Sequence, residues 1–291
     1  MTQPKESQTL EGRFEWNTPQ IQTTFPQGED AQELYQQLGG YITRLGDIQY
    51  NPETKTIIGS TPFLSARIDT LVRPLGLRTT NLRDLSRPEV MQRVEDKHYT
   101  DAPILVLRTT KDSYEPNNHL INQLTKQIEQ TNGKLELPVM ISGFDVQPSE
   151  TPQQGYGIEI VPRADFQAIS DERLAHKNNG KRFTNVDELG LPIFDKNGTR
   201  TFYTRNQGLS RLYLDGDLDL GSGDENLSYS NSNGRVVVVS AEGTEGANSN
   251  FLESFSSKRE EFEKQQREHE KGSQRLREEI NRILEGWTPP Q

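Results

Sequence analysis

The chain has 291 residues, a net charge of -10 and no cysteine. The lack of cysteine excludes disulfides, thiol catalysis and cysteine-based zinc sites. The acidic balance argues against general affinity for nucleic-acid backbones or anionic membranes. Hydrophobic residues make up 31% of the chain and its mean hydropathy is -0.84, which indicates a modest core surrounded by polar loops or tails.

The sequence predicts a soluble protein built from four segments. Residues 1–12 are expected to form a flexible tail and 13–240 a single α+β domain, followed by a linker at 241–250 and a charged helix or coiled coil at 251–287. No apolar run approaches the ~20 residues of a membrane span, and the first residues lack an apolar signal core. We therefore expect a cytoplasmic location without membrane contact.

Three helices are predicted in the first hundred residues. The first covers 29–38, where apolar residues recur on one face and two glycines follow. The second begins at Thr61, which suits an N-cap, with Pro62 in the first helical position. The third begins near Ser86, whose spacing to Glu89 matches a capping box.

A strand–helix–strand unit comes next. The apolar runs 102–108 and 134–144 predict two strands, and the amphipathic segment 117–133 predicts a helix between them. A right-handed βαβ crossover is the favoured arrangement for such a unit, and it would place two parallel strands in a mixed sheet. Pro138 places the second strand at an edge or a bulge, because proline cannot donate a hydrogen bond to the ladder.

The last third of the domain is predicted to be an antiparallel meander. A short helix is expected at 165–174, and Asn197-Gly198 predicts a hairpin turn between two strands. The strands then continue through 208–220 to the four valines at 236–239, which are expected to form a central strand buried on both faces. The fold class is thus α+β, with a mixed sheet, this meander and a long C-terminal helix.

Two stretches carry a resemblance to known sequences. "TPFLSARIDTLVRPLGLRTTNLRDLSRPEVM" and "GLPIFDKNGTRTFYTRNQGLSRLYLDGDL", the latter followed by "NSNGRVVVVSAEG", resemble a group of uncharacterised archaeal proteins. The similarity spans about residues 40–245. It implies one evolutionary unit in an archaeal cytoplasm and carries over no activity or catalytic residue.

Three aspartates form a candidate metal site. Asp215, Asp217 and Asp219 alternate with glycine and leucine, but the spacing lacks the glycine and glutamate of an EF-hand loop. Leucines at 212, 214, 218 and 220 have the opposite parity, so a strand would bury the leucines and expose the aspartates. The solvated strand face is favoured over the metal site.

A second candidate site lies at the end of the predicted βαβ unit. Ligands of open α/β sheets bind beyond the carboxyl ends of parallel strands. Thr109, Thr110, Lys111, Asp112 and Ser113 follow the first strand, and Asp145 follows the second. These residues could hold an anion such as a phosphate, although polar loop residues after a strand are ordinary.

Arginines form a third candidate. Residues 67–93 carry six arginines against three carboxylates, and we select Arg73, Arg78, Arg83 and Arg87 as a possible anion-binding set. The alternative, which is favoured, is that these arginines pair with the protein's own carboxylates. No aromatic residues interleave with them, so stacking on single-stranded nucleic acid is not indicated.

These patterns leave the activity open. The sequence contains no nucleotide-binding glycine loop and no His-Glu-x-x-His motif, so no catalytic residue can be named and no cofactor is expected. The preferred hypothesis is a soluble binding or assembly protein. The alternative is an enzyme acting on a phosphorylated or carbohydrate small molecule through the loops at 108–113 and 142–145.

The C-terminal segment suggests the means of assembly. Between residues 251 and 287 a heptad seam recurs at intervals of seven, with apolar ends and a polar middle: Phe255, Phe262, His269, Leu276 and Ile283. Dense opposite charges flank it and can form i,i+4 pairs. A homo-oligomer or a helical protein partner is expected there, with a single solvated helix as the alternative.

Overall fold

Short helices are interspersed among strands in the computed structural model, which describes residues 21–176 and 180–240. The α-helices are α1 (Gly28–Gln37), α2 (Gly40–Thr43), α3 (Pro62–Val72), α4 (Pro88–Val94) and α5 (Pro116–Asn132). The strands are β1 (Thr23–Thr24), β2 (Gln49–Asn51), β3 (Thr56–Ile58), β4 (Leu77–Thr79), β5 (Thr100–Leu107), β6 (Val139–Pro148), β7 (Ile158–Ser170), β8 (Lys181–Val186), β9 (Pro192–Phe194), β10 (Arg200–Thr204), β11 (Leu209–Leu214), β12 (Leu220–Ser222) and β13 (Val238–Ser240). Short 3-10 helices cover Arg73–Leu75, Asp84–Ser86 and Glu172–Leu174.

The strands form one large and two small sheets. The large sheet has eight strands in the order β7-β6-β5-β11-β12-β10-β8-β9, and a three-stranded sheet has the order β1-β13-β4. All pairs are antiparallel except β10 with β12, which is parallel. The predicted α+β class with a mixed sheet is therefore confirmed.

The predicted βαβ crossover is wrong. β5 and β6 pair antiparallel, with Leu107 opposite Val139. Helix α5 is attached to the outer strand β7, where Gln123 accepts from the backbone N–H of Ile160 and donates to its carbonyl at 3.0 and 2.8 Å. With α5 held against β7, the segment that follows the helix leads into β6, whose first residue lies beside the last residue of β5. Strand β6 lies between β5 and β7, so it is not an edge strand, and Pro138 lies just before it.

The C-terminal strands also pair differently from the prediction. The Asn197-Gly198 turn does not join a hairpin, because β8 lies between β9 and β10 and pairs with both. The expected helix at 165–174 is instead the second half of β7 and a 3-10 turn at Glu172–Leu174. The valine strand β13 leaves the meander and becomes the centre of the three-stranded sheet.

Two hydrophobic cores lie on opposite faces of the central strands. Every residue of β5 is buried, and its side chains alternate between the cores: Leu105 and Leu107 reach the core that contains α1, α3 and α5, while Ile104 and Val106 reach the core that contains α4. The four valines alternate in the same way, with 236 and 238 in the first core and 237 and 239 in the second. The predicted burial of the four valines on both faces is confirmed, although strand β13 includes only Val238 and Val239 of them.

The predicted N-terminal caps of α3 and α4 can be compared with the structure. Thr61 caps α3 as predicted, since its Oγ1 accepts from the backbone N–H of Leu64 at 3.0 Å. The predicted capping box of α4 is wrong, because its N-cap is Arg87 and no side chain caps it. The hydroxyl of Ser86 instead accepts a hydrogen bond of 2.9 Å from Arg200.

Several predicted segments lie outside the described residues. These are the tail at 1–12, the linker at 241–250 and the helix or coiled coil at 251–287. Within the described chain, no helix combines the length and the apolar character that crossing a bilayer requires.

Candidate functional site

A cleft of about 380 Å³ lies against one face of strands β5, β6 and β7. The end of α3, strand β4 and the loops at 81–83 and 188–189 form its walls. Its charged lining consists of four arginines and three carboxylates: Arg73, Arg78, Arg83, Arg163, Asp69, Asp165 and Glu188. Its volume falls within the range of small-molecule sites.

A β-bulge shapes one wall of the cleft. The register of β6 against β7 shifts between Ser142 and Phe144. Gly143 occupies the bulge with a φ of +72°, and a Cβ there would overlap the backbone of Asp165. Only glycine suits both the left-handed conformation and the close approach. The bulge therefore brings Ser142 and Asp165 together on the same wall of the cleft.

Four side chains form a closed ring of alternating charge at one end of the cleft. Asp69 contacts Arg73 and Arg163, each at 2.8 Å. Asp165 contacts the same two arginines at 2.7 and 3.1 Å. The ring joins α3 to β7 through their side chains. Because each charge has two partners, the geometry is held more firmly than a single exposed pair would hold it.

The ring is anchored most deeply at Asp69. This carboxylate is 3% exposed and also accepts a 2.8 Å hydrogen bond from the backbone N–H of Thr79. Desolvation alone would raise the pKa of Asp165, but the hydrogen bond and charge of Arg163 and the charge of Arg73 lower it below its usual value. Asp165 is therefore an anion committed to the arginines at neutral pH.

A second wall of the cleft is built around a buried aspartate. Asp84 is 1% exposed and pairs with both Arg78 and Arg87. It also closes a turn with Asn81, in which each side chain accepts from the other residue's backbone N–H at 2.9 and 3.0 Å. This turn carries Arg83 between two buried residues, Leu82 and Asp84, and presents its side chain to the cleft.

Arg83 is the cationic group of the cleft that lacks a counter-charge. Its side chain is partly buried, and among the described residues it makes no hydrogen bond or ion pair. The turn at 187–191 packs on its backbone, where Gly190 has a φ of +85° and a Cβ would overlap the main chain of Arg83. This contact holds Glu188 and Leu189 at the rim of the cleft near Arg83.

The arginine prediction is divided between these two walls. Arg73, Arg78 and Arg83 line one cleft, whereas Arg87 is buried against Asp84 and does not line it. Arg73, Arg78 and Arg87 pair with the protein's own carboxylates, which is the alternative that the sequence favoured. Sequence reasoning missed Arg163 and Asp165, which lie on β7 beside the β6–β7 bulge, and Asp69, whose contact with Arg73 is an i,i+4 pair. The alternation of polar residues along β7 indicates a strand that continues past residue 165, the start of the expected helix.

The loop candidates do not meet. Because β5 and β6 are antiparallel, residues 109–113 follow the end of β5 near the start of β6, while Asp145 lies near the far end of β6. Asp145 pairs with Arg67 at 2.9 Å. Asp112 is buried and accepts from Asn117 and from the backbone N–H of Leu209, each at 2.8 Å. It fixes the loop to β11. Thr109, Thr110, Lys111 and Ser113 lie beside it on the partly or fully exposed surface.

The acidic string is a turn and not a strand face. Asp215 Oδ1 accepts from the backbone N–H groups of Asp217 and Asp219 at 3.0 and 2.9 Å, closing the turn between β11 and β12. Leu218 reaches the core through a φ of +66°, so the leucines are buried as predicted although the strand is interrupted. The described chain contains no group of three or more His, Asp or Glu side chains placed to hold a metal ion.

Comparison of the chain with protein-family models, with curated proteins and with solved structures found no match in any of the three. The archaeal resemblance therefore receives no support from them, and the cleft has to be interpreted from its own chemistry.

Proposed function

We propose that this chain is a ligand-binding protein whose cleft takes an organic anion on Arg83. The observation that carries the proposal is the state of this guanidinium. It is partly buried in a cleft of small-molecule size and has no counter-charge among the described residues. An anionic ligand would supply the charge-assisted hydrogen bonds that the described residues do not give to this guanidinium.

The neighbouring charges support binding more than catalysis. The two carboxylates of the ring are tied to Arg73 and Arg163, and the low pKa of Asp165 makes it a weak general base. No histidine lines the cleft within the described chain. Because Arg73 and Arg163 hold Asp69 and Asp165 in the ring, these carboxylates would not pair with Arg83 in place of a ligand.

Binding can be tested by calorimetry with simple carboxylates and phosphate monoesters against their uncharged alcohol or amide analogues. The wild type should bind the anions only, and Arg83→Gln should weaken that binding about 10- to 100-fold, the worth of one charged hydrogen-bonding group. Arg44→Gln is the matched control, since Arg44 is exposed and lies away from the cleft. Equal binding by the wild type and Arg83→Gln, or no binding of any anion, would refute the proposal.

A second role is proposed from sequence for residues 251–287. The heptad seam ending in Leu276 and Ile283 favours association with a second copy or a helical partner. The binding domain would then be displayed on an oligomer. This role depends on the seam alone and is independent of the cleft.

A further inference from the structure

The charge lining the cleft limits the ligand that it can take. The described lining has four arginines and three carboxylates. Asp69 and Asp165 neutralise Arg73 and Arg163, and Asp84 outside the lining pairs with Arg78, so Arg83 and Glu188 are the lining charges that form no ion pair among the described residues. A singly charged anion matches the charge of Arg83. A doubly charged anion would leave one negative charge uncompensated near Asp165 and Glu188.

The floor of the cleft is apolar. Ile104, Met140 and Leu82 line it and are 2%, 5% and 2% exposed. Ile169 of β7 extends this surface, and Leu189 lies at the rim with 45% of its surface exposed. An apolar body placed against these side chains would remove its own surface from water, whereas a ligand that carried only a charged group would gain nothing from them.

We infer that the ligand is a monoanionic carboxylate with an apolar body, its head group on Arg83 and its body between Leu189 and the floor formed by Ile104, Met140 and Ile169. The inference rests on the proposed anion-binding function and specifies its ligand class. The planar guanidinium of Arg83 suits a carboxylate, which it can engage with two parallel hydrogen bonds.

The chain length of the ligand provides the test. Calorimetric titration with acetate, butanoate, hexanoate and octanoate should show affinity rising about fourfold for each methylene that the floor covers. Octyl phosphate, measured at pH 8 where it is largely doubly charged, should bind more weakly than octanoate. Octanol should bind more weakly than either, because it offers no charge to Arg83.

Two variants test where in the cleft the dependence of affinity on chain length arises. Leu189→Ser should flatten the dependence of affinity on chain length, with a loss of affinity that grows from acetate to octanoate. Ile193→Ser is the matched control, since Ile193 is 52% exposed and lies outside the cleft. Because both side chains are exposed, neither variant should compromise folding.

The outcomes separate this inference from the function on which it rests. Carboxylates of all lengths binding equally, or octyl phosphate binding more tightly than octanoate, would overturn the ligand class while leaving anion binding intact. An unchanged chain-length dependence in Leu189→Ser would overturn the placement of the apolar body. Failure of every anion to bind would remove the proposed function itself.

Discussion

Asp69 of α3 and Arg163 of β7 meet at 2.8 Å although they are far apart in sequence. Their side chains are 3% and 15% exposed, so both charges are largely removed from water. The pair is the inner half of the four-membered ring, and Arg73 and Asp165 form the more exposed half. The ring therefore joins α3 to β7 through charged side chains.

Replacing Asp69 should destabilise the fold. Asp69→Asn keeps the size of the side chain but leaves the buried guanidinium of Arg163 short of one counter-charge, at a cost of about 3 kcal/mol in the free energy of unfolding. Glu188→Gln is the control in the same cleft, because Glu188 is exposed, and it should change stability by less than about 0.5 kcal/mol. Urea denaturation measures both. Equal midpoints would show that the ring contributes nothing to stability.

Asp101 should make stability depend on pH. It is fully buried on β5, and Arg211, which also pairs with Asp224, lies 3.5 Å away. Burial raises the pKa of Asp101 to about 6, although Arg211 and Ser60 lower it in part. The folded state then holds a proton that the unfolded chain releases near pH 4, so stability is lost as pH rises from about 4 through 6.

Comparison of the wild type with Asp101→Asn isolates that contribution. The free energy of unfolding of the wild type, relative to the variant, should fall by about 3 kcal/mol between pH 4 and pH 7. Asp217→Asn serves as the control, because Asp217 is exposed, and it should track the wild type. A difference between the wild type and Asp101→Asn that does not vary with pH would contradict the buried titration.

The valine strand should tolerate no charge. Val237 and Val238 are 0% and 2% exposed and face different cores. Val237→Asp and Val238→Asp should each prevent folding, because either carboxylate would be buried without a partner. Ser240→Asp, on the same strand but partly exposed, should still fold. Circular dichroism and thermal melting distinguish these outcomes, and a cooperative melt for either valine variant would contradict the burial.

The C-terminal seam predicts an oligomer that responds to pH. If two copies associate through residues 251–287, His269 would face its twin, and protonation near pH 6 would bring like charges together. We expect a dimer at pH 8 that loosens towards pH 5.5, and a monomer when 251–291 is deleted. Sedimentation velocity measures this. A full-length protein that sediments as a monomer at both pH values would remove the oligomer hypothesis.

Local signals in the sequence determined the start of α3, the burial of β5 and the burial of the four valines. Thr61 and Pro62 specify a helix start through hydrogen bonding and backbone geometry within a few residues. A continuous apolar run has to be buried on both faces wherever its neighbours come from. The parity of the leucines at 212–220 likewise predicted that their side chains are buried. Leu218 is buried although it lies in a turn and not in a strand.

Tertiary structure alone decided the strand partners and the cleft. The chain between β5 and β6 is long enough for a parallel or an antiparallel pairing, and the attachment of Gln123 to Ile160 accompanies the antiparallel one. The same pairing separates Asp112 from Asp145, while the bulge at Gly143 places Asp165 and Arg163 beside Asp69. Such contacts join residues that are distant in sequence, and the energy that selects them comes from burial and ion pairing in the assembled fold. No local propensity encodes them.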